Sequence, residues 1–204
     1  DMRQDDAVSK DLRDASINHL IERFGVNKNH AANVAKVALS FFNLLATDNL
    51  EHDDSGQSLY KLKQKLGWAA MCHEVGCAIS HSESQKHGAY IVDNTELMGF
   101  SQSELHRLSL LVLGHSGKLK KLDADFSDEG FIYQLISLML AFIFCHSRSM
   151  PVLKNITFER AENTFLLGLP GAWQQAFPQT SYLLEEEVLA WNKTNWSLIV
   201  STKN

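Results

Sequence analysis

The run MCHEVG, Met71 to Gly76, sets a histidine and a glutamate side by side after an apolar stretch. His81 and His87 follow, and His30 and His115 fall on or beside neighbouring helical segments. Imidazole nitrogen and carboxylate oxygen are ligand types that Zn, Mn, Fe and Ni take in proteins. A helix bundle can bring such side chains to one centre. The spacing is not the H-E-x-x-H zinc motif, because Cys77 stands where the second histidine belongs. Taken singly, a histidine in an apolar helix reads as a hydrogen-bonded core residue. Two readings stay open at this point: a metal site, and a set of structural histidines.

The second chemical feature is basic. YKLKQKL puts Lys61 and Lys65 one turn apart on one helix face, and GKLKKL adds Lys118, Lys120 and Lys121. Lys86 and Arg148 lie near the histidines in sequence. A track of Lys and Arg is what recognition of a linear polyanion requires. The other reading is a solvated lysine face that keeps the protein soluble. Lys61, Lys65, Lys120 and Lys121 are all expected to be exposed and to lie near the rim of the histidine cavity. The formal net charge of −5 argues against a general nucleic-acid binder.

Helices must position both features. Apolar spacing predicts helices over 7–24 and 27–46, the second with a stripe of Ala31, Val34, Ala38, Phe41, Phe42 and Leu45. A loop is expected at 47–57, a third helix from 58 to about Gly76, and a fourth over about 83–94. Ser101 with Glu104 reads as a capping box opening a fifth helix. A sixth, over about 129–147, is apolar nearly all round and should be central. After Pro151 the texture changes. VLKNITFER, NTFLLGLP and NWSLIVST have strand composition, while GAWQQAFP and SYLLEEEVLAWNK look helical.

The expected fold is therefore mainly α: a helical domain over 1–150, then a small α+β domain over 151–204. With 45% hydrophobic and 21% charged residues the chain can bury a real core. Its three cysteines, Cys72, Cys77 and Cys145, read as reduced thiols of a cytoplasmic protein. Trp68, Trp173, Trp191 and Trp196 read as core and interface anchors. No apolar run reaches the length of a membrane span, so no membrane partner is expected. The chain opens on a polar stretch without methionine and is expected to be a piece of a longer polypeptide.

Three stretches are long and specific enough to suggest a family. They are LRDASINHLIERFGVNKNHAANVAKVALSFF, LGWAAMCHEVGCAISHSESQKHGAYIVDNTELMGFS and LAFIFCHSR. A histidine, then a histidine–acid pair, then further histidines resembles the pattern of HD-domain phosphohydrolases. More specifically, the chain resembles the C-terminal region of the exopolyphosphatase/guanosine pentaphosphate phosphatase (Ppx/GppA) family.

The resemblance implies an HD-like third domain and a small terminal domain. The phosphate-binding loops and catalytic glutamate would lie in two preceding actin-like domains. No G-x-G occurs in this chain, so it is expected to hold no catalytic residue of its own. The HD positions would be His30, His73, Glu74, His115 and Phe142. Phe142 stands where an anionic ligand belongs, so the metal site reads as degenerate and no cofactor is expected in this chain. The parent enzyme would use Mg. The expected role is an accessory, homodimer-supporting region that binds polyphosphate or guanosine pentaphosphate through Lys61, Lys65, Lys86, Lys118, Lys120, Lys121 and Arg148. One alternative is a metal-dependent HD-type phosphohydrolase using His30, His73, Glu74 and His115. Another is a purely structural dimerisation module.

Overall fold

The computed structural model describes residues 2–46 and 58–203. The loop expected at 47–57 lies outside these residues. The chain begins with α1 (Met2–Arg23) and α2 (Lys28–Ala46). Gly25 turns between them at φ 64°, a conformation that costs glycine nothing. The Asn27 side chain accepts from the His30 amide at 3.0 Å and starts α2. One stripe of α2 is buried, from Ala31 and Val34 to Phe41, Phe42 and Leu45, as its apolar spacing predicts.

Four more helices complete the bundle: α3 (Leu59–Cys72), α4 (Ser84–Asn94), α5 (Gln102–Gly114) and α6 (Glu129–Phe144). The expected capping box opens α5, with the Glu104 amide donating to Ser101 Oγ at 3.3 Å and the Ser101 amide to Glu104 Oε2 at 3.0 Å. The expected central helix is α6, in which every residue from Gly130 to Ala141 is buried. Its polar residue Gln134 is satisfied: the amide donates to the Leu62 carbonyl at 2.7 Å and accepts from Arg107 Nε at 2.9 Å.

The third helix is shorter than expected. It ends at Cys72, with His73 as its C-cap, and a 3-10 turn follows over Val75–Ala78. Close packing accounts for the break. A Cβ on Gly76 would stand 1.9 Å from the Ser84 carbonyl oxygen and 2.4 Å from the Gly88 amide. The turn seats bare backbone directly on α4, which a continuing helix could not do. The sixth helix likewise stops at Phe144 rather than 147, and Arg148 then sits at φ 60°.

The remaining elements are β1 (Thr157–Ala161), β2 (Thr164–Pro170), α7 (Trp173–Ala176), α8 (Pro178–Trp191) and β3 (Ser197–Lys203). Here β1 pairs antiparallel with β2, and β3 pairs parallel with it, Phe165 opposite Leu198. The strand read from Val152 begins only at Thr157, because left-handed Asn155 at φ 63° interrupts extended backbone. Phe158 meets Phe41 with ring centroids 5.7 Å apart, and Phe165 meets Tyr133 at 6.0 Å. Arg160 binds α6 through Tyr133 Oη at 3.1 Å and Glu129 Oε1 at 2.5 Å, and lies 4.9 Å from the Trp196 ring. A single hydrophobic core runs through helices and sheet.

All four tryptophans are buried anchors. The three cysteines are free, with Cys72 and Cys145 buried. Among the described residues no helix is long and apolar enough to cross a membrane.

Candidate functional site

The last turns of α3 and α5 end in the same way. His73 and His115 are the C-caps of these helices. Each ring folds back so that its Nδ1–H donates to the carbonyl three residues earlier, Ala70 or Val112, at 2.6 Å. A histidine in this place adds a side-chain donor to a last-turn carbonyl; that of Ala70 also accepts the His73 amide at 3.4 Å. The two rings meet edge-on at 5.5 Å. His30, in the first turn of α2, lies 5.6 Å from the His73 ring. Phe142, near the end of α6, closes the group at 4.8 Å from His115 and 6.1 Å from His73. The structure thus brings His30, His73, Glu74, His115 and Phe142 together. His81 is exposed and His87 half-buried on α4, and neither makes a ring contact with the group.

The cluster is electrically quiet near neutral pH. Burial pulls His73 down to about 4 and His115 to about 3, because water no longer stabilises the charged ring. His30 is lowered too, burial outweighing the attraction of Glu74. Glu74 accepts from Arg148 Nη2 at 2.5 Å and lies 3.9 Å from His30 Nε2. This pairing spans 74 residues, and no local pattern in the sequence announces it.

Donor atoms of His30, His73 and Glu74 lie within 4.8 Å of one another. His73 Nε2 and His30 Nδ1 are buried without a hydrogen-bond partner, as metal-binding nitrogens would be. The fit to a divalent ion is nevertheless poor. Glu74, the one carboxylate of this set, is already engaged by the Arg148 guanidinium. Phe142 offers only a phenyl ring on the side where a hard cation needs oxygen.

The lysines do not all line one cleft. Lys86, Lys118 and Lys121 line a single cleft of about 570 Å³ between α4, the end of α5 and the 3-10 turn Leu119–Lys121. Lys120 is exposed on that turn but does not line the cleft. Lys61 is exposed in the first turn of α3. It lies 12 residues before His73, roughly 18 Å along a straight helix. Lys65 corrects the expectation of exposure: it is buried, at 9%. Its position on α3 faces the packed side of the helix, between buried Leu62 and Leu66 on one flank and Ala69 on the other. Arg148 is exposed but held by Glu74, and Lys86 pairs with Glu83 at the start of α4.

Comparison with known proteins places this architecture. A family model described as "Ppx/GppA phosphatase, domain III" matches residues 12–188. A protein of Aeromonas hydrophila named guanosine-5'-triphosphate,3'-diphosphate pyrophosphatase is 29% identical over 195 residues, covering 91% of this chain and 37% of that protein. Proteins of the same name from Photobacterium profundum and Pseudoalteromonas translucida are 28% and 29% identical, covering 93% and 95% of this chain. The chain spans 37% to 38% of the length of these relatives. With a match that runs from α1 almost to the end of α8, the chain belongs to the Ppx/GppA phosphatase family, as its domain III.

Proposed function

We propose that this chain is the accessory, phosphate-chain-holding part of a Ppx/GppA phosphatase. Hydrolysis of a terminal phosphoanhydride, with Mg, would take place on actin-like domains outside this sequence. The relatives are named for guanosine 5'-triphosphate 3'-diphosphate, and polyphosphate is the second ligand class of this reading. The observation that supports it is the convergence of Lys86, Lys118 and Lys121 on one cleft. Glu83 lines the cleft too and pairs with Lys86, so three lysines against one carboxylate leave it net positive, with ammonium donors for phosphate oxygens. The histidine cluster, in this reading, caps α3 and α5 and has no catalytic part. Homodimer support belongs to the same proposal and is tested by sedimentation of the chain.

Titrating the chain with inorganic polyphosphate at 50 and 200 mM salt tests the binding claim. Three neutralised phosphates predict a log–log slope of roughly −2, hence a loss on the order of tenfold. Binding that ignores salt, or no binding at low salt, would refute the claim.

A second reading, a metal-dependent phosphohydrolase at His30, His73, Glu74 and His115, is favoured by the unpartnered His73 Nε2. Elemental analysis of the purified chain separates the two. About one tightly held transition metal per chain, lost on His30→Ala, would establish the second reading.

A further inference from the structure

We propose that Arg148 is a built-in cation that holds the place of a divalent metal at the histidine cluster. It closes a latent transition-metal site of His30, His73 and Glu74, and loss of its charge opens that site. The inference rests on the reading of the native histidines as helix caps without a catalytic part, and is independent of the lysine cleft.

The donors for such a site are already gathered. One ligand atom from each of His30, His73 and Glu74 lies within 4.8 Å of the others. Ligands around a tetrahedral zinc stand roughly 3.4 Å apart, so small side-chain rotations complete the set. His73 is also oriented as a ligand. Its Nδ1–H donates to the Ala70 carbonyl at 2.6 Å, which fixes the tautomer and leaves the Nε2 lone pair free, as in metal-bound histidines. That nitrogen is buried without a hydrogen-bond partner, on a residue only 1% exposed.

Charge is what closes the site. Arg148 Nη2 donates to Glu74 Oε1 at 2.5 Å, and the same oxygen lies 3.9 Å from His30 Nε2. The guanidinium cancels the one carboxylate of the set. A divalent ion would meet a neighbouring cation, and Phe142 offers no second anion to offset it. Changing the pH does not release the site, because a guanidinium stays charged. The backbone is committed to this contact as well. Arg148 sits at φ 60°, a left-handed conformation that favours glycine, and its amide donates to the Cys145 carbonyl at 2.8 Å. The turn after α6 thus returns the arginine to a partner 74 positions away. The centre of the bundle is thereby kept from becoming a second, metal-dependent hydrolytic site.

The test titrates cobalt(II), whose visible absorption reports imidazole coordination, into the 204-residue chain and its variants. Arg148→Gly removes the charge and relaxes the left-handed turn, so its fold should hold. Arg148→Met, which keeps the aliphatic stem, is the second neutral variant. Both should take up about one cobalt per chain, at least about tenfold more tightly than the native chain. Arg148→Lys, which keeps the charge, should show no gain. Adding Glu74→Gln to Arg148→Gly should abolish the site. Folded neutral variants that bind no cobalt would overturn this inference alone. Tight cobalt binding, equal in the native chain and Arg148→Gly, would overturn the capping reading with it. A gain in Arg148→Gly that survives Glu74→Gln would put the metal elsewhere and overturn the inference as well.

Discussion

His73 and His115 do the same mechanical work at two helix ends, and that work keeps them neutral. Burial lowers both rings, His73 to about 4 and His115 to about 3. The unfolded chain titrates each near 6.5. Above that value both states are neutral and the burial costs nothing in protons. Below it the unfolded chain takes up protons that the native rings refuse, so stability falls as pH drops from about 6.5 toward 4. His73 alone predicts a loss on the order of 3 kcal/mol across that window. Urea denaturation at pH 7.5 and 4.5 measures it, and His73→Leu should show a shallower fall than wild type. An equal fall in both proteins would place the acid sensitivity elsewhere. The residue types of this cluster were legible in MCHEVG and in the position of Phe142. Their capping bonds were not, because a side chain's fold-back onto its own helix depends on where that helix ends. The pairing of Glu74 with Arg148 was also invisible, since only the tertiary fold brings those positions together.

At the scale of elements, α6 and α5 could be read almost directly. A sixteen-residue segment, apolar all round, has nowhere to go but the centre, and the Ser101–Glu104 pair marks a helix start by itself. The end of α3 could not be read so, because helical spacing continues past Cys72. What stops the helix is a contact with α4, and Gly76 is the residue that permits it. Gly76→Ala should cost at least about 2 kcal/mol, because the clashing atoms are backbone and cannot swing away. A melt unchanged within about 2 °C would contradict this packing. Gln134 offers a second check between elements. It ties α6 to the Leu62 carbonyl and to Arg107. Gln134→Leu removes both bonds and leaves Arg107 Nε without its acceptor, though Arg107 Nη1 keeps Asp128, and should destabilise by about 1–3 kcal/mol, read from the midpoint of denaturant unfolding. The lysine pattern of α3 misled for a related reason. Spacing puts Lys61 and Lys65 on one face, but the neighbours of α3 cover that face at Lys65 and leave it open at Lys61.

In the whole molecule the sheet is not a loose appendage. Phe41 on α2, Phe144 on α6 and Phe158 on β1 form a contiguous aromatic group, and Arg160 locks β1 to α6. Arg160→Ala should therefore lower the stability of the helices with that of the sheet. One cooperative transition, shifted downward, is the expected outcome in circular dichroism and tryptophan fluorescence, and two separated transitions would contradict it. The order of elements was legible throughout the chain because periodicity is local. The cleft was not, because its lysines come from α4 and from the turn after α5, which only the packed bundle brings together. The most direct test is charge reversal at matched number. Lys86, Lys118 and Lys121 replaced together by Glu should weaken inorganic polyphosphate binding at low salt by at least about a hundredfold, at about 1 kcal/mol per lysine lost. Lys36, Lys61 and Lys154, all exposed and outside the cleft, replaced together by Glu should leave affinity within about threefold. Equal losses in two folded variants would mean that net charge alone attracts the ligand, and would contradict a phosphate site in the cleft.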